Sequence, residues 1–338
     1  MNKQALETIA AAMVADGKGI LAADESTGTI KKRFDSIQAE STEDSRRDYR
    51  EMLFRTDAAM QNNISGVILY DETIRQKAAD GTPLTQLIAD AGSIPGIKVD
   101  TGAKDLAGHA GEMVTEGLDG LRERLADYYA LGARFAKWRA VINITDDKPS
   151  AACLSANTHA LARYAALCQE AEIVPIVEPE VIMDGSHSVA RCYDVTSAAL
   201  SQLYAQLSEQ NVHLEGTILK PNMVVSGTQN ATQADVAQVA EMTLDCFRKN
   251  VPEAVPGIVF LSGGQSDEDA TAHLDAMNKI GNLPWKLSFS YGRALQAAPL
   301  KAWGGDAANV PAAQAAFAHR AKMNGLAAQG QWDAALEG

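Results

Sequence analysis

Eight apolar runs, each ending abruptly in polar residues, recur at a near-regular interval along this chain of 338 residues, and that recurrence restricts the fold more than any other feature. They are Gly19 to Asp24, Gly66 to Asp71, Pro95 to Asp100, Ala133 to Val141, Ile173 to Glu180, Gly216 to Lys220, Gly257 to Ser262 and Leu287 to Ser290. A polar residue near each end (Asp24, Tyr70, Asp100, Arg139, Glu180, Lys220, Ser262, Ser290) follows the previous one at an interval of 28 to 46 residues. A strand with its crossover helix needs about 30 residues, so each interval is expected to hold one helix. Ser41 and Thr42 with Glu43 and Asp44 open one such helix, with Tyr49, Met52, Leu53 and Met60 on one face. Thr82-Pro83-Leu84 opens another, with proline early in the helix, where a missing N–H costs little. Strands alternating with helices in this number predict the α/β class and a (β/α)8 TIM barrel, with a doubly wound open sheet as the rival. The expected organisation is one domain over 1–338: a helix within 1–18, the barrel over 19–295 and a helical segment over 296–338, including an Ala-rich helix from Pro311 to Ala328.

Composition narrows the function classes. With 46% hydrophobic and 22% charged residues, the chain has the apolar content for a large core. Thirty Lys and Arg against 43 Asp and Glu leave a net charge of −13, which disfavours nucleic acid or an anionic membrane as partner. The four cysteines, Cys153, Cys168, Cys192 and Cys246, form no C-x-x-C pair, so neither a thiolate metal site nor a disulfide scaffold is expected, and a reducing, cytoplasmic setting fits. Near the N-terminus, Leu6, Ile9, Ala10, Met13 and Val14 fall at helical spacing, and Glu7 interrupts any signal-type apolar core. No uncharged apolar run approaches the ~18 residues of a membrane span. The six histidines are scattered with none paired at i+3 or i+4, so neither a metal nor any other cofactor is expected, and His187 is expected at a helix start.

Barrel active sites lie at the carboxyl ends of the strands, and unusual chemistry collects there in this sequence. Lys137 and Arg139 are two residues apart, so strand alternation puts both on one face; Glu178 and Glu180 repeat the arrangement one unit later, and Lys98 and Asp100 do so in the third run. Asp24 closes the first run, and Lys220 ends Thr217-Ile218-Leu219 just before Pro221. An ion network on the barrel rim would explain any one of these charges. As a set they cost several kcal/mol each to desolvate, where ordinary barrels place Val, Ile and Leu. A lysine amine attacks only when neutral, and a neighbouring cation in a desolvated site favours that form, so Lys220 close to Lys137 suits Schiff-base formation.

The last two strands point to the substrate class. Ser262-Gly263-Gly264 and Ser290-Tyr291-Gly292-Arg293 follow them, and the loops after strands seven and eight are the usual phosphate site of this fold. A second cationic group, Lys32 and Arg33 with Lys98, is placed to hold a second phosphate.

These residues carry a family likeness. Gly19-Ile20-Leu21-Ala22-Ala23-Asp24-Glu25-Ser26-Thr27-Gly28, Phe135-Ala136-Lys137-Trp138-Arg139, Val177-Glu178-Pro179-Glu180, Leu219-Lys220-Pro221-Asn222, Leu261-Ser262-Gly263-Gly264-Gln265 and Ser290-Tyr291-Gly292-Arg293-Ala294-Leu295 together resemble class I fructose-bisphosphate aldolase, from about Gly17 to Gly330 and in the family's order. The resemblance implies a metal-independent lyase of glycolysis and gluconeogenesis that cleaves a sugar bisphosphate, with a homo-oligomer, a tetramer, expected. By the same resemblance Lys220 forms the Schiff base, Glu178 is the general acid and base, Asp24 deprotonates the hydroxyl on carbon four, and Lys137 favours the neutral amine with Arg139 beside it. Ser262, Gly263, Gly264, Ser290, Gly292 and Arg293 are then expected around one phosphate, and Ser26, Thr29, Arg33 and Lys98 at the other end of the substrate. Thr29 stands where the family generally has serine, which keeps the hydroxyl. Familiar animal members end in a tyrosine that helps move a proton; here the last residues are Ala335-Leu336-Glu337-Gly338, so enamine protonation is expected to use another group or water. Two other readings stay open on the sequence, a transaldolase-type Schiff-base barrel acting on a monophosphate and a non-catalytic binding or scaffold protein on the same fold.

Overall fold

A computed structural model describes residues 1–338. All eight apolar runs are strands: β1 (Gly19–Ala23), β2 (Ile64–Leu69), β3 (Ile94–Lys98), then, after a hairpin of β4 (Gly102–Asp105) and β5 (Met113–Glu116), β6 (Phe135–Ile142), β7 (Val174–Val181), β8 (Ile218–Leu219), β9 (Gly257–Phe260) and β10 (Lys286–Tyr291). The eight pair in parallel in the order β1-β2-β3-β6-β7-β8-β9-β10. Ile20 opposite Ser290 and Leu21 opposite Tyr291 join β10 back to β1. That closure excludes the open doubly wound sheet and makes the molecule a (β/α)8 barrel.

The expectation of one helix per interval needs correction. Between β1 and β2 lie three helices (Thr27–Ser36, Glu43–Phe54, Asp57–Met60), and between β2 and β3 two short ones (Asp71–Arg75, Leu84–Asp90). The antiparallel β4-β5 hairpin precedes helix Leu121–Ala130 and is absent from the sequence reading. Its strands are four residues each and only partly buried, too short and too polar to stand out by periodicity. Helix Glu43–Phe54 begins at Thr42, whose side chain and that of Ser45 cap reciprocally, and it ends before Met60, which belongs to the next helix. Pro83 is the cap before helix Leu84–Asp90, not inside it. Helix Val189–Glu209 is capped by Ser188, so His187 lies just ahead of it. Several polar run ends, Asp24, Tyr70, Asp100, Lys220 and Ser262, fall one or two residues past the hydrogen-bonded strand, where the loops begin.

The alternation along each strand divides the barrel into two chemistries. Toward the amino ends, the inward positions Ile20, Ala22, Ile68, Phe135, Val174, Ile176, Ile218 and Val259 form an apolar plug with Leu6, Ala10, Met13 and Val14 of helix Lys3–Met13, which closes the barrel floor. Toward the carboxyl ends the same inward register carries Lys98, Lys137, Arg139, Glu178 and Glu180. Outward residues, such as Trp138, whose ring centre lies 5.5 Å from that of Tyr164 at a 33° tilt, pack against the helices in the larger outer core. The plug is tight: a Cβ at Gly96 would stand 2.3 Å, and one at Gly66 2.8 Å, from the Phe135 ring. Gly96→Ala is therefore expected to cost about 1–3 kcal/mol through overpacking, seen as a lower urea midpoint at unchanged m-value. An unchanged midpoint would show that the ring relocates freely.

Candidate active site

Every barrel strand except β2 delivers polar residues, from its end or the loop after it, to one cleft at the carboxyl end of the barrel. The cleft holds about 260 Å³ and is lined by Asp24, Glu25, Ser26, Thr29, Arg33, Lys98, Lys137, Arg139, Glu178, Glu180, Lys220, Ser262, Gly263, Ser290, Gly292 and Arg293, with only Ala22 and Leu261 apolar. A larger hollow of about 470 Å³ lies on the flank around Leu121, Arg163 and Glu170 and shares no residue with the cleft.

The Lys220-Pro221 pair is held by backbone on both sides: the Lys220 N–H donates to the carbonyl of Val177 (2.9 Å), and Pro221, which has no N–H to give β7, accepts at its carbonyl from the N–H of Leu261 (3.2 Å). Asn222 then ties back to β7, its Oδ1 accepting from the N–H of Val181 (3.1 Å). The amine is buried, 4% exposed for the residue, and its Nζ lies 3.2 Å from Glu178 Oε1. Glu178 Oε2 is 3.3 Å from Lys137 Nζ, which also bonds Asp24 Oδ2 at 2.9 Å. The sequence expectation of two facing lysines is thus refined: a carboxylate stands between them, because β6 and β7 pair with Arg139 opposite Glu178 and set that glutamate one step above Lys137.

The charges fix their own ionisation. Burial would raise the Asp24 carboxyl, but the cations of Lys137, Lys220 and Lys98 outweigh it and hold it well below the usual range. Glu178 is likewise held low: burial and Asp24 push it up, and Lys137, Lys220 and Arg139 together push it down further. For Lys137, burial works against the cation, yet Asp24, Glu178 and Asp100 keep it charged well past its ordinary range. Arg139 pairs with Glu180 through Nε, and its backbone N–H donates to Asp100 Oδ2 (3.2 Å). Asp100 also meets Lys98 at 3.2 Å. The cleft therefore contains ionised carboxylates able to accept protons, each beside an amine or guanidinium.

Two groups with the chemistry to hold an anion adjoin this centre. On one side Ser262 and Gly263 follow β9, and Gly263 has φ +50°, a backbone state that a side chain would strain. Gly292 starts helix Arg293–Trp303 without a capping side chain, which leaves the first-turn N–H groups of an eleven-residue helix for a ligand. The Ser290 hydroxyl is buried without a partner. The second group begins at Ser26, which caps helix Thr27–Ser36 and lies 3.1 Å from the Thr29 hydroxyl; Lys98 lines the same cleft, and the guanidinium of Arg33, one turn on, reaches the first group, with Nη2 3.6 Å from where a Cβ would stand on Gly292. Of the expected residues Gly264 and Lys32 miss the cleft: Gly264 stands beside Arg293, where a Cβ would come 3.4 Å from the guanidinium, and Lys32 is exposed on helix Thr27–Ser36, one position off the face that Arg33 presents. Glu25, paired with Arg33, lines the cleft and was not singled out from the sequence, since nothing in a carboxylate one residue after Asp24 marks its orientation.

The sequence model of the family described as fructose-bisphosphate aldolase class-I matches residues 5–338. The chain belongs to this family. A relative from Xanthomonas campestris, called probable fructose-bisphosphate aldolase class 1, is 61% identical over 333 residues, covering 98% of this chain and 99% of the relative. The Arabidopsis thaliana fructose-bisphosphate aldolase 4, cytosolic, is 53% identical, over 93% of this chain and 80% of its own. Among solved structures, the fructose-bisphosphate aldolase of Plasmodium falciparum, in complex with TRAP and a small-molecule inhibitor, superposes with a TM-score of 0.95 at 46% identity, over 98% of this chain and 95% of that one. Class I membership thus rests on the whole length of the barrel and its terminal segments, not on the cleft motifs alone. No helix is long and apolar enough to cross a membrane.

Proposed function

We propose that Lys220 is the nucleophile of this lyase and that Glu178, Asp24 and Lys137 share the proton traffic around it. The reaction is the reversible aldol cleavage of fructose 1,6-bisphosphate to dihydroxyacetone phosphate and glyceraldehyde 3-phosphate, a step of glycolysis and gluconeogenesis. The observation that carries the assignment is the 3.2 Å contact between the Lys220 amine and an ionised Glu178 inside a cleft flanked by two anion sites.

A proton passes from Lys220 to Glu178, and the neutral amine attacks the ketone carbon while one of its two remaining N–H protons moves to the ketone oxygen, giving the carbinolamine. Glu178 returns the proton to the carbinolamine hydroxyl, which leaves as water and yields the iminium. Asp24, kept ionised by Lys137, takes the proton of the hydroxyl on carbon four. As that oxygen forms a carbonyl, the bond between carbons three and four breaks and its electrons enter the iminium, giving an enamine. Glyceraldehyde 3-phosphate departs. Protonation of the enamine carbon and addition of water then release dihydroxyacetone phosphate and restore Lys220. Arg139 is oriented by Glu180 beside the reacting carbons. Ser262, Gly263, Ser290, Gly292 and Arg293 bind one phosphate, with Gly264 supporting Arg293, and Ser26, Thr29, Arg33 and Lys98 bind the other; a two-ended cleft of this kind favours a bisphosphate over a monophosphate.

Incubation with dihydroxyacetone phosphate followed by borohydride is expected to leave one reduced adduct, mapped by mass to the Lys220 peptide, with or without chelator. An adduct on another lysine, or none, would reject the assignment. We also place the protein in the cytoplasm, which its four free, buried cysteines support, and infer a homo-oligomer from its family membership. Light scattering that returned a monomer at every concentration would remove the latter.

A further inference from the structure

Behind the second anion site runs a largely buried chain of alternating charge, of which the reaction scheme uses only Arg33. Arg33, at the cleft, pairs with Glu25. Arg50, on helix Glu43–Phe54 and 1% exposed, has Nη2 donating to the Glu25 carbonyl at 2.8 Å and lying 3.8 Å from Glu25 Oε2. Its Nη1 is 3.5 Å from Glu72 Oε2, and Glu72 is in turn bonded by Arg46, whose Nε donates at 2.9 Å. Gln296 Nε2 fixes the same glutamate, donating to Glu25 Oε1 (2.8 Å) and to the Ala22 carbonyl (2.7 Å). Three guanidinium groups thus face two carboxylates, one cation in excess.

That excess has a physical use. A phosphate at Ser26, Thr29 and Lys98 draws Arg33 toward itself, and Arg33 can leave only if Glu25, 4% exposed, is not stranded as a lone buried anion. Once Arg33 has gone, Arg50 remains for Glu25 and Arg46 for Glu72. The resting contacts leave room for the exchange: Glu25 Oε2, Arg50 Nε and Arg50 Nη1 are all buried without a hydrogen-bond partner. We propose that Arg50, which never reaches the cleft, is a positioning residue for substrate phosphate: with Gln296 it retains Glu25 and so frees Arg33 to transfer from carboxylate to phosphate. This rests on the proposed role of Arg33 as a phosphate ligand.

The test is a double-mutant cycle on competitive inhibition by inorganic phosphate, with fructose bisphosphate kinetics alongside. In Arg50→Met the phosphate Ki and the KM are expected to rise about tenfold while kcat, per borohydride-trappable site, stays within about threefold, because Arg33 is now committed to Glu25. Adding Glu25→Gln should bring Ki back to within about threefold of the parent, since no charge is left to strand. Should Arg50→Met fail to fold, Gln296→Leu takes its place in the cycle with the same expected direction. An unchanged Ki in the folded variant, or a double variant no better than the single, overturns the role of Arg50. Arg33→Ala separates the two levels: a Ki that does not move in that variant overturns the phosphate assignment and this inference together, whereas a Ki that rises there but not with Arg50 changed overturns the inference alone.

Discussion

Lys220→Met is expected to lower the cleavage rate by on the order of 10^5-fold or more while leaving the protein folded. Methionine has nearly the length of lysine and suits a buried site, and Glu178 keeps Lys137 as its partner at 3.3 Å, so no carboxylate is left alone. What is lost is the only amine that lies within bonding distance of Glu178 Oε1. Without it no iminium forms, and the electrons released at carbon three have no acceptor. The checks are a coupled cleavage assay, the borohydride adduct and a thermal melt. Residual activity above about 1% of the parent with an intact melt would mean that the iminium route is not the main one.

Lys137→Met is expected to damage both stability and rate, for a different reason. Lys137 is 4% exposed and holds two buried carboxylates, Asp24 at 2.9 Å and Glu178 at 3.3 Å. Removing the shared cation leaves Asp24 without a direct partner, which for a broken buried pair costs about 3–5 kcal/mol. With Asp24 less able to ionise and Glu178 less firmly held, a fall in kcat of about 10^2 to 10^4 is expected. The pH dependence has a definite sign. Asp24 and Glu178 lie below their ordinary values of 3.8 and 4.5 in the folded protein, so their contribution is present above that range and is lost as the pH falls through and below it. Lys137 is raised above its ordinary 10.5, so its contribution is complete below that value and is lost only at higher pH. The stability gap between parent and variant, measured by urea unfolding, should therefore be constant from about pH 6 to 10 and narrow below about pH 4. Parallel curves down to pH 3 would show that Lys137 is not held by these two carboxylates.

The barrel was legible because its strands are apolar runs at a repeat that few folds use, and because each is buried on both faces. Where burial was incomplete the reading failed. The β4-β5 hairpin is short and half-exposed, and helices Thr27–Ser36, Asp57–Met60 and Asp71–Arg75 each bury only two residues, whereas the openings at Thr42 and Pro83 carry signals that the sequence shows. Met60 kept the periodicity of the preceding helix although a break at Arg55 and Thr56 put it on another.

The site divides in the same way. Residue types at strand ends, with alternation as the only geometric rule, were enough to name Asp24, Lys98, Lys137, Arg139, Glu178 and Lys220 and to group Ser262 to Gly264 with Gly292 and Arg293, because a side chain's face on a strand depends on its parity alone. The number of barrel strands, the inward charges and the family are therefore legible in residue order alone. Packing between segments is what sets Glu178 between the two lysines, Gly264 beside Arg293 and outside the cleft, and Glu25 between Arg33 and Arg50. Those contacts depend on the register between β6 and β7 and on how helices Thr27–Ser36 and Glu43–Phe54 pack, which are distances between segments far apart in the chain, and parity within one strand carries no information about them.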